Sequence, residues 1–291
     1  MTTIARLLAE GTRPLCSFEF FPPRDDAGED HLWAAIDRLE PLRPDFISVT
    51  YGANGSSRDR TLALTRRLAT DTGHRVMGHL TCASQSVDQL TSVIDGYAAA
   101  GIGHILAVRG DMPGGPGVPW VAHPDGLANA TALVELIRRR GDFCIGVAAF
   151  PDGHPPAHDL ALDARLLVDK WSAGASFAIT QLFFQPRAYV ELVDRVRSLG
   201  CPIPIIPGIM PVSQMSQVVS FAQMSGAPLP AAMLRQLEAV AHDPAAVRRV
   251  GAAQAADVAQ RLLDAGAPGL HFFTQNRSRA TLAIWRRLRR D

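Results

Sequence analysis

Short apolar runs alternate with longer amphipathic stretches along nearly the whole chain. That alternation restricts the folds open to it more than any other feature. Strand-like runs occupy residues 16–21, 46–50, 76–82, 105–108, 143–150, 177–183, 203–206 and 270–273. Helix-like stretches fall between them at 29–40, 58–72, 86–100, 125–140, 158–173, 186–199, 213–225 with 230–265, and 277–289. Their apolar residues recur three and four apart, as in Leu133, Leu136 and Ile137. Strand-plus-helix units repeated in this way predict a parallel sheet with helices outside it. The count of eight matches a closed α/β barrel, the (β/α)8 or TIM barrel. Residues 226–267 are too many for one unit and predict extra helices after the seventh strand. No internal repeat or linker interrupts the pattern, so 1–291 is expected to be a single domain. The Pro/Gly-rich stretch 112–119 is too short for a linker and follows a strand, which makes it a loop of the active face.

In such a barrel, side chains alternate between the interior and the helix layer, and chemistry gathers at the strand C-termini. Polar residues inside the strand-like runs are therefore the informative ones. Glu19 lies in Cys16-Ser17-Phe18-Glu19-Phe20-Phe21 and shares a face with Ser17. A carboxylate among apolar neighbours is costly unless it is paired or protonated. Two readings are open: a Glu satisfied by a buried Arg, or a general acid whose pKa burial has raised. Ser48 and Thr50 share a face that leads into Tyr51-Gly52-Ala53-Asn54-Gly55. His79 shares one with Thr81, and Gln181 follows Phe177 and Ile179. The fourth strand ends in Arg109-Gly110-Asp111, where glycine permits close backbone approach to a ligand. Each residue alone can be a satisfied core group; five strand ends converging on polar groups describe a binding site.

Composition removes several function classes. The net charge is +1, against the basic footprint of a nucleic-acid partner. No run of apolar residues is long enough to span a membrane, and the first ten residues lack a secretory signal, so a cytoplasmic location is expected. Arg138-Arg139-Arg140 and the arginines at 286, 287, 289 and 290 close helix-like stretches, where cations suit the helix dipole. Cys16, Cys82, Cys144 and Cys201 are widely spaced with no Cys-x-x-Cys pair, which points to buried thiols and no metal site. No Gly-x-Gly-x-x-Gly follows a strand, and a P-loop, a nucleophile elbow and a His-Glu-x-x-His motif are all missing. Of 29 basic residues all but Lys170 are arginine. A lone lysine is either drift or a site that needs a compact ammonium. Its helical position argues against a Schiff-base aldolase but lets it reach a phosphate, with Asp163 earlier on the same stretch.

At these motifs the chain resembles the methylenetetrahydrofolate reductase family. Phe18-Glu19-Phe20-Phe21-Pro22-Pro23-Arg24 is similar to its opening signature. Ser48-Val49-Thr50-Tyr51-Gly52-Ala53, His79-Leu80-Thr81 and Ala107-Val108-Arg109-Gly110-Asp111 follow in order. So do Val147-Ala148-Ala149-Phe150-Pro151 with His154-Pro155, Ile179-Thr180-Gln181, Pro207-Gly208-Ile209, and His271-Phe272-Phe273 with Asn276-Arg277. The resemblance implies an FAD-dependent catalytic barrel that reduces 5,10-methylenetetrahydrofolate to 5-methyltetrahydrofolate in two hydride transfers, with NADH or NADPH as co-substrate. It implies that Glu19 is the general acid at folate N10 and that Asp111 lies between flavin and pterin. Flavin contacts would come from Thr50, Tyr51, Ala53, His79, Arg109, Gly110, Asp111, Ala130, Phe150, His154, Ala157, Asp163 and Lys170. Gln181, Gln217, Phe221 and Arg277 would bind folate. A homo-oligomer is also implied.

Three departures stand out. Phe150 replaces a tyrosine common in the family. Leu166 and Asp169 stand where some members place Asn and Arg against the flavin, so weaker FAD retention is expected. The chain ends at Asp291, soon after the barrel, and S-adenosylmethionine feedback is not expected. Two other readings are a flavin-independent barrel lyase or aldolase and a non-catalytic folate- or flavin-binding barrel.

Overall fold

The computed structural model describes residues 2–51, 55–115, 117–155 and 157–288, with backbone only for 55–59. Nine parallel strand segments form one sheet: β1 Leu15–Phe20, β2 Phe46–Val49, β3 Val76–Thr81, β4 His104–Val108, β5 Cys144–Ala149, β6 Phe177–Thr180, β7 Ile205–Ile206, β8 Gly208–Ile209 and β9 Gly269–Phe273. Their order is β7-β6-β5-β4-β3-β2-β1-β9-β8. β7 and β8 are two halves of one strand, interrupted by Pro207, so the sheet closes on itself as an eight-stranded barrel. The handover has a local cause. Pro207 has no N–H for the ladder, its carbonyl accepts from His271 N at 3.0 Å, and Gly208 N donates to Thr180 Oγ1 at 2.9 Å. The seventh strand expected at 203–206 therefore lies over 205–209 and is broken in the middle.

Helices α1 Ile4–Glu10, α2 Asp26–Leu39, α3 Gly55–Asp71, α4 Val87–Ala99, α5 Ala130–Arg140, α6 Leu160–Ser172, α7 Pro186–Ser198, α8 Met215–Ser225, α9 Ala231–Glu238, α10 Pro244–Asp264 and α11 Arg279–Trp285 accompany the strands. Side chains mark their ends: Asn129 Oδ1 caps α5, Ser86 and Gln89 form a capping box on α4, and Asp159 Oδ1 accepts from Ala161 N and Leu162 N on α6. The arginine run closing α5 is structural. Arg140 grips Asp95 on α4 at 2.6 Å, and Arg138 donates to the Phe143 carbonyl at 3.2 Å. The expected helical excursion at 226–267 is two helices, α9 and α10, following α8. Leu182, Phe184, Val212, Val218, Ala222, Leu237 and Val247 form a separate apolar cluster beneath it. The sixth strand is accordingly shorter than the apolar run 177–183, because Leu182 leaves the ring to join that cluster. Among the described residues no helix is long and apolar enough to cross a membrane.

The sequence reading passes over α1. Thr3 caps this seven-residue helix, and Gly11 ends it at φ 54. Ile4 is fully buried, and its backbone N–H donates to His104 Nε2 at 3.4 Å. Ile4 joins Phe46, Met77, Leu106, Cys144, Phe177, Ile179 and Ile206 in one cluster, which fills the lower barrel interior. All four cysteines are buried and in no disulfide, as expected.

Candidate functional site

The barrel interior changes character along its axis. Below it is apolar and plugged by α1. Above, toward the strand C-termini, the alternation that points Phe46, Met77 and Phe177 inward also points Ser17, Glu19, Ser48, His79, Thr81 and His271 inward. Glu19 Oε2 lies 3.4 Å from His271 Nε2 and 3.7 Å from His79 Nε2. Among the described residues no arginine pairs with it, so a buried arginine partner is ruled out there. A pKa raised by burial among its phenylalanine neighbours was expected, and the structure corrects this. Burial pushes the Glu19 carboxyl up, but the His271 hydrogen bond and the positive fields of His79 and His271 outweigh it, and the net direction is down. Phe18 and Phe20 face the helix layer, so they do not surround the carboxyl group. Burial takes His79 down to about 4.

Around this centre the loops carry the other candidates. Thr50 N donates to Phe20 O at 2.9 Å, and Tyr51 OH donates to Gln85 Oε1 at 2.9 Å. Ala53 lies outside the described residues. Arg109 Nη2 donates to His154 Nε2 at 3.3 Å and its guanidinium sits 5.4 Å from the Trp120 ring. Burial and the Arg109 charge both push the His154 imidazole down from its ordinary value. Its backbone N–H donates to Asp163 Oδ2 at 2.7 Å, which ties the β5–α6 loop to the first turn of α6. Phe150 meets His154 edge-on at 4.7 Å. Gly110 has φ +81, and a Cβ there would come within 2.8 Å of Thr81 Cβ. Asp111 and Ala157 are exposed and Ala130 is buried at the start of α5.

Lys170 points inward from the last turn of α6, where its ammonium donates to the Ala148 carbonyl at 3.0 Å. Burial, opposed by Asp163 and assisted by Arg109, lowers it to about 8. The unfolded chain keeps this proton to about 10.5, so stability rises with pH between about 8 and 10.5, and at neutral pH the charge strains the ligand-free fold. Lys170→Met is expected to stabilise the ligand-free chain by about 1 kcal/mol at pH 7 and to flatten that pH dependence. Thermal melts across pH 7–10.5 (roughly the window between the folded and unfolded values) check it; an unchanged slope would contradict it.

The substrate-side candidates lie across the mouth. Gln181 is exposed just past β6, with its Oε1 accepting from Leu182 N at 2.7 Å. Gln217 on α8 donates to Gln275 Oε1, and Phe221 lies half-buried one turn on. Arg277 is exposed after β9. Two residues near it escaped the sequence reading as site residues. Gln275 and Asn276 hold φ values of 53 and 54, uncommon for side-chain-bearing residues. Asn276 brackets Phe21, accepting from its N–H at 3.0 Å and donating to its carbonyl at 2.9 Å. His271 was read only as part of a motif; its alternation with Phe273 inside β9 was the available signal. Among the described residues no cluster of His, Cys, Asp or Glu could hold a metal ion.

A family model described as methylenetetrahydrofolate reductase matches residues 3–289. The chain belongs to this family. The 5,10-methylenetetrahydrofolate reductases of Pectobacterium carotovorum and Escherichia coli are each 41% identical over 268 residues, spanning 92% of this chain and 88% of theirs. A probable methylenetetrahydrofolate reductase (NADH) of Oryza sativa is 32% identical, over 97% of this chain and 49% of its own length. Among solved structures, a Clostridium thermocellum protein that binds two copies of 5-methyl-5,6,7,8-tetrahydrofolic acid superposes with a TM-score of 0.67 at 13% identity, covering 96% of this chain and 95% of its own. At that identity the likeness shows the barrel fold alone.

The methylenetetrahydrofolate reductase family implies a flavin, and the residues present fit one. Ser48 Oγ, His79 Nε2 and Thr81 Oγ1 are buried without a hydrogen-bond partner. Buried polar atoms of this kind call for a ligand or water. Gly110 lets the backbone pass close beside them, and Arg109 and Lys170 supply cations suited to a diphosphate.

Proposed function

We propose that this chain is an FAD-dependent reductase of 5,10-methylenetetrahydrofolate, forming 5-methyltetrahydrofolate with NADH or NADPH, and that residues 1–291 act as one catalytic unit. The observation that carries the reading is Glu19, a carboxyl group at the polar end of the barrel beside unpartnered donors. Bound flavin would supply hydride exchange between the nicotinamide and the folate methylene carbon. Ser48, Thr50, Tyr51, Ala53, His79, Thr81, Arg109, Gly110, Asp111, Ala130, Phe150, His154, Ala157, Asp163 and Lys170 would hold it, the two cations at its diphosphate. Gln181 would hold the pterin, with Gln217, Phe221 and Arg277 around the rest of the folate, Arg277 suited to a carboxylate of its tail. Asp111 would stand between the two ligands.

Glu19 delivers a proton to N10 of the folate, which opens the five-membered ring and leaves the methylene carbon electrophilic. Its side chain is 16% exposed in the ligand-free chain. A ligand over the mouth removes that remaining water and pushes the carboxyl pKa up, toward the protonated form a donor needs. Both substrates would use the one mouth in turn, which gives ping-pong kinetics, as the family resemblance implies.

An anaerobic absorbance scan tests the reading. Flavin bands that bleach on adding NADH or NADPH and return on adding methylenetetrahydrofolate support it. A chain that stays colourless after added FAD refutes it in favour of a flavin-independent barrel. Leu166 and Asp169 are exposed on α6 and supply no cation. Flavin content is therefore expected below one per chain after extensive dialysis; full retention would contradict that expectation.

A further inference from the structure

Ser17, His271 and Glu19 form a line across the junction of β1 and β9. Ser17 Oγ lies 2.8 Å from His271 Nδ1 and 3.2 Å from the Leu270 carbonyl; His271 Nε2 lies 3.4 Å from Glu19 Oε2. A serine has one hydroxyl hydrogen and a neutral imidazole has one N–H, so only certain arrangements satisfy the line. When Ser17 donates to Nδ1, His271 carries its hydrogen on Nε2 and donates it to an ionised Glu19. When Ser17 donates to the Leu270 carbonyl, Nδ1–H donates to Ser17, and Nε2 accepts from a protonated Glu19. The two arrangements differ by one proton, and each leaves every group partnered.

We propose that His271, set by Ser17, is the positioning residue that holds Glu19 in one place in both its ionised and its protonated form. The inference rests on the reading above that Glu19 is the proton donor. Net uptake of one proton from water, with the imidazole hydrogen exchanged from Nε2 to Nδ1 through water, carries the line from the first arrangement to the second. Delivery of that proton to folate N10 returns it to the first. The imidazole cannot turn away. It is fully buried, stacked on Phe46 at 5.8 Å and 15°, and edge-on to Phe273 at 5.6 Å. Thr274 Oγ1 fixes the other end of the acid by donating to the Glu19 carbonyl at 2.6 Å. The titratable groups that act on Glu19 are His79 from β3 and His271 from β9. β2 places Ser48 and β8 places Gly208 at the facing register positions, and neither titrates.

Isotope-edited infrared titration of the Glu19 carboxyl in the ligand-free chain tests this, alongside the pH profile of the folate half-reaction. His271→Phe keeps the ring packing and removes both nitrogens. It is expected to raise the Glu19 midpoint by about one pH unit, because the donor to the ionised form is gone. Ser17→Ala should move it less, and His271→Gln, whose amide can donate or accept, should restore it. In the folate half-reaction kcat should fall at least 10-fold in His271→Phe with KM steady (about the range for a mispositioned catalytic group). Reduction of flavin by nicotinamide should change little. A folded His271→Phe with an unmoved midpoint overturns the proposal; if that variant fails to fold, an unmoved midpoint in Ser17→Ala does so. A shifted midpoint in a chain whose wild type reduces no methylenetetrahydrofolate supports the positioning and removes the proposed reaction. An active wild type with unmoved midpoints does the reverse.

Discussion

Exchanging Glu19 for Gln is expected to slow methylenetetrahydrofolate reduction by about 10²–10⁴-fold, the span usual for loss of a general acid. Flavin reduction by nicotinamide is expected to stay within a few-fold of the parent. The amide keeps the size of the side chain and can still accept from His271 Nε2, so the barrel loses a transferable proton and little packing. Rapid-mixing measurements of the two half-reactions separate these effects. Equal loss in both halves would show that Glu19 serves the flavin site as a whole. Survival of both would remove it from the chemistry. In the parent, the folate half-reaction should also slow as pH rises, because the ionised form of Glu19 is favoured by His271 and gains further population with every unit. E19Q should lose that slope.

Phe177→Ala is expected to destabilise the fold by about 3–5 kcal/mol, the range for a large buried aromatic whose cavity cannot collapse. Phe177 is fully buried, and its ring lies 6.3 Å from that of Phe46. Gly146 leaves the space its ring occupies, since a Cβ there would stand 2.7 Å from Phe177 Cζ. Strands packed on every side cannot move in to fill the hole. The melting temperature should drop by roughly 10 °C. The floor of the barrel lies below the mouth, so KM values measured well under the new melting point should hold. A loss below about 1.5 kcal/mol, the level of volume-conserving core exchanges, would mean that α1 collapses into the cavity.

The ring strands were legible because parallel strands buried on both faces are written as short apolar runs, and the eight runs fall on the strands of the ring. Local patterning has limits that show at particular residues. Seven residues of α1 span too few turns to display a helical period, and their burial depends on a barrel floor assembled from distant strands. Pro207 inside an apolar run reads as the end of a strand, whereas here it passes one strand between two neighbours. The largest misreading concerned Glu19. Its chain neighbours Phe18 and Phe20 suggested an apolar setting, but alternation sends them to the helix layer. Its true neighbours come from other strands: Ser48 beside it in register, His79 and His271 across the interior. Charge environments in a barrel are set by cross-strand register, which no stretch of local sequence contains. The polar strand ends could be picked out one by one for the same reason that their partnerships could not.

The junction of β1 and β9 has a consequence for how the protein is made. Ser17 and His271 are 254 residues apart in the chain, and β1 is among the first segments to leave the ribosome. At ordinary rates of synthesis its partner strand follows on the order of tens of seconds later. Throughout that interval the first strand has one edge open, and Glu19 lacks the imidazole that orients it. The acid is thus assembled by the same event that seals the sheet, so an unfinished or truncated chain holds the glutamate without its working surroundings. With Glu19 as the proposed proton donor, catalytic competence would report completion of the ring.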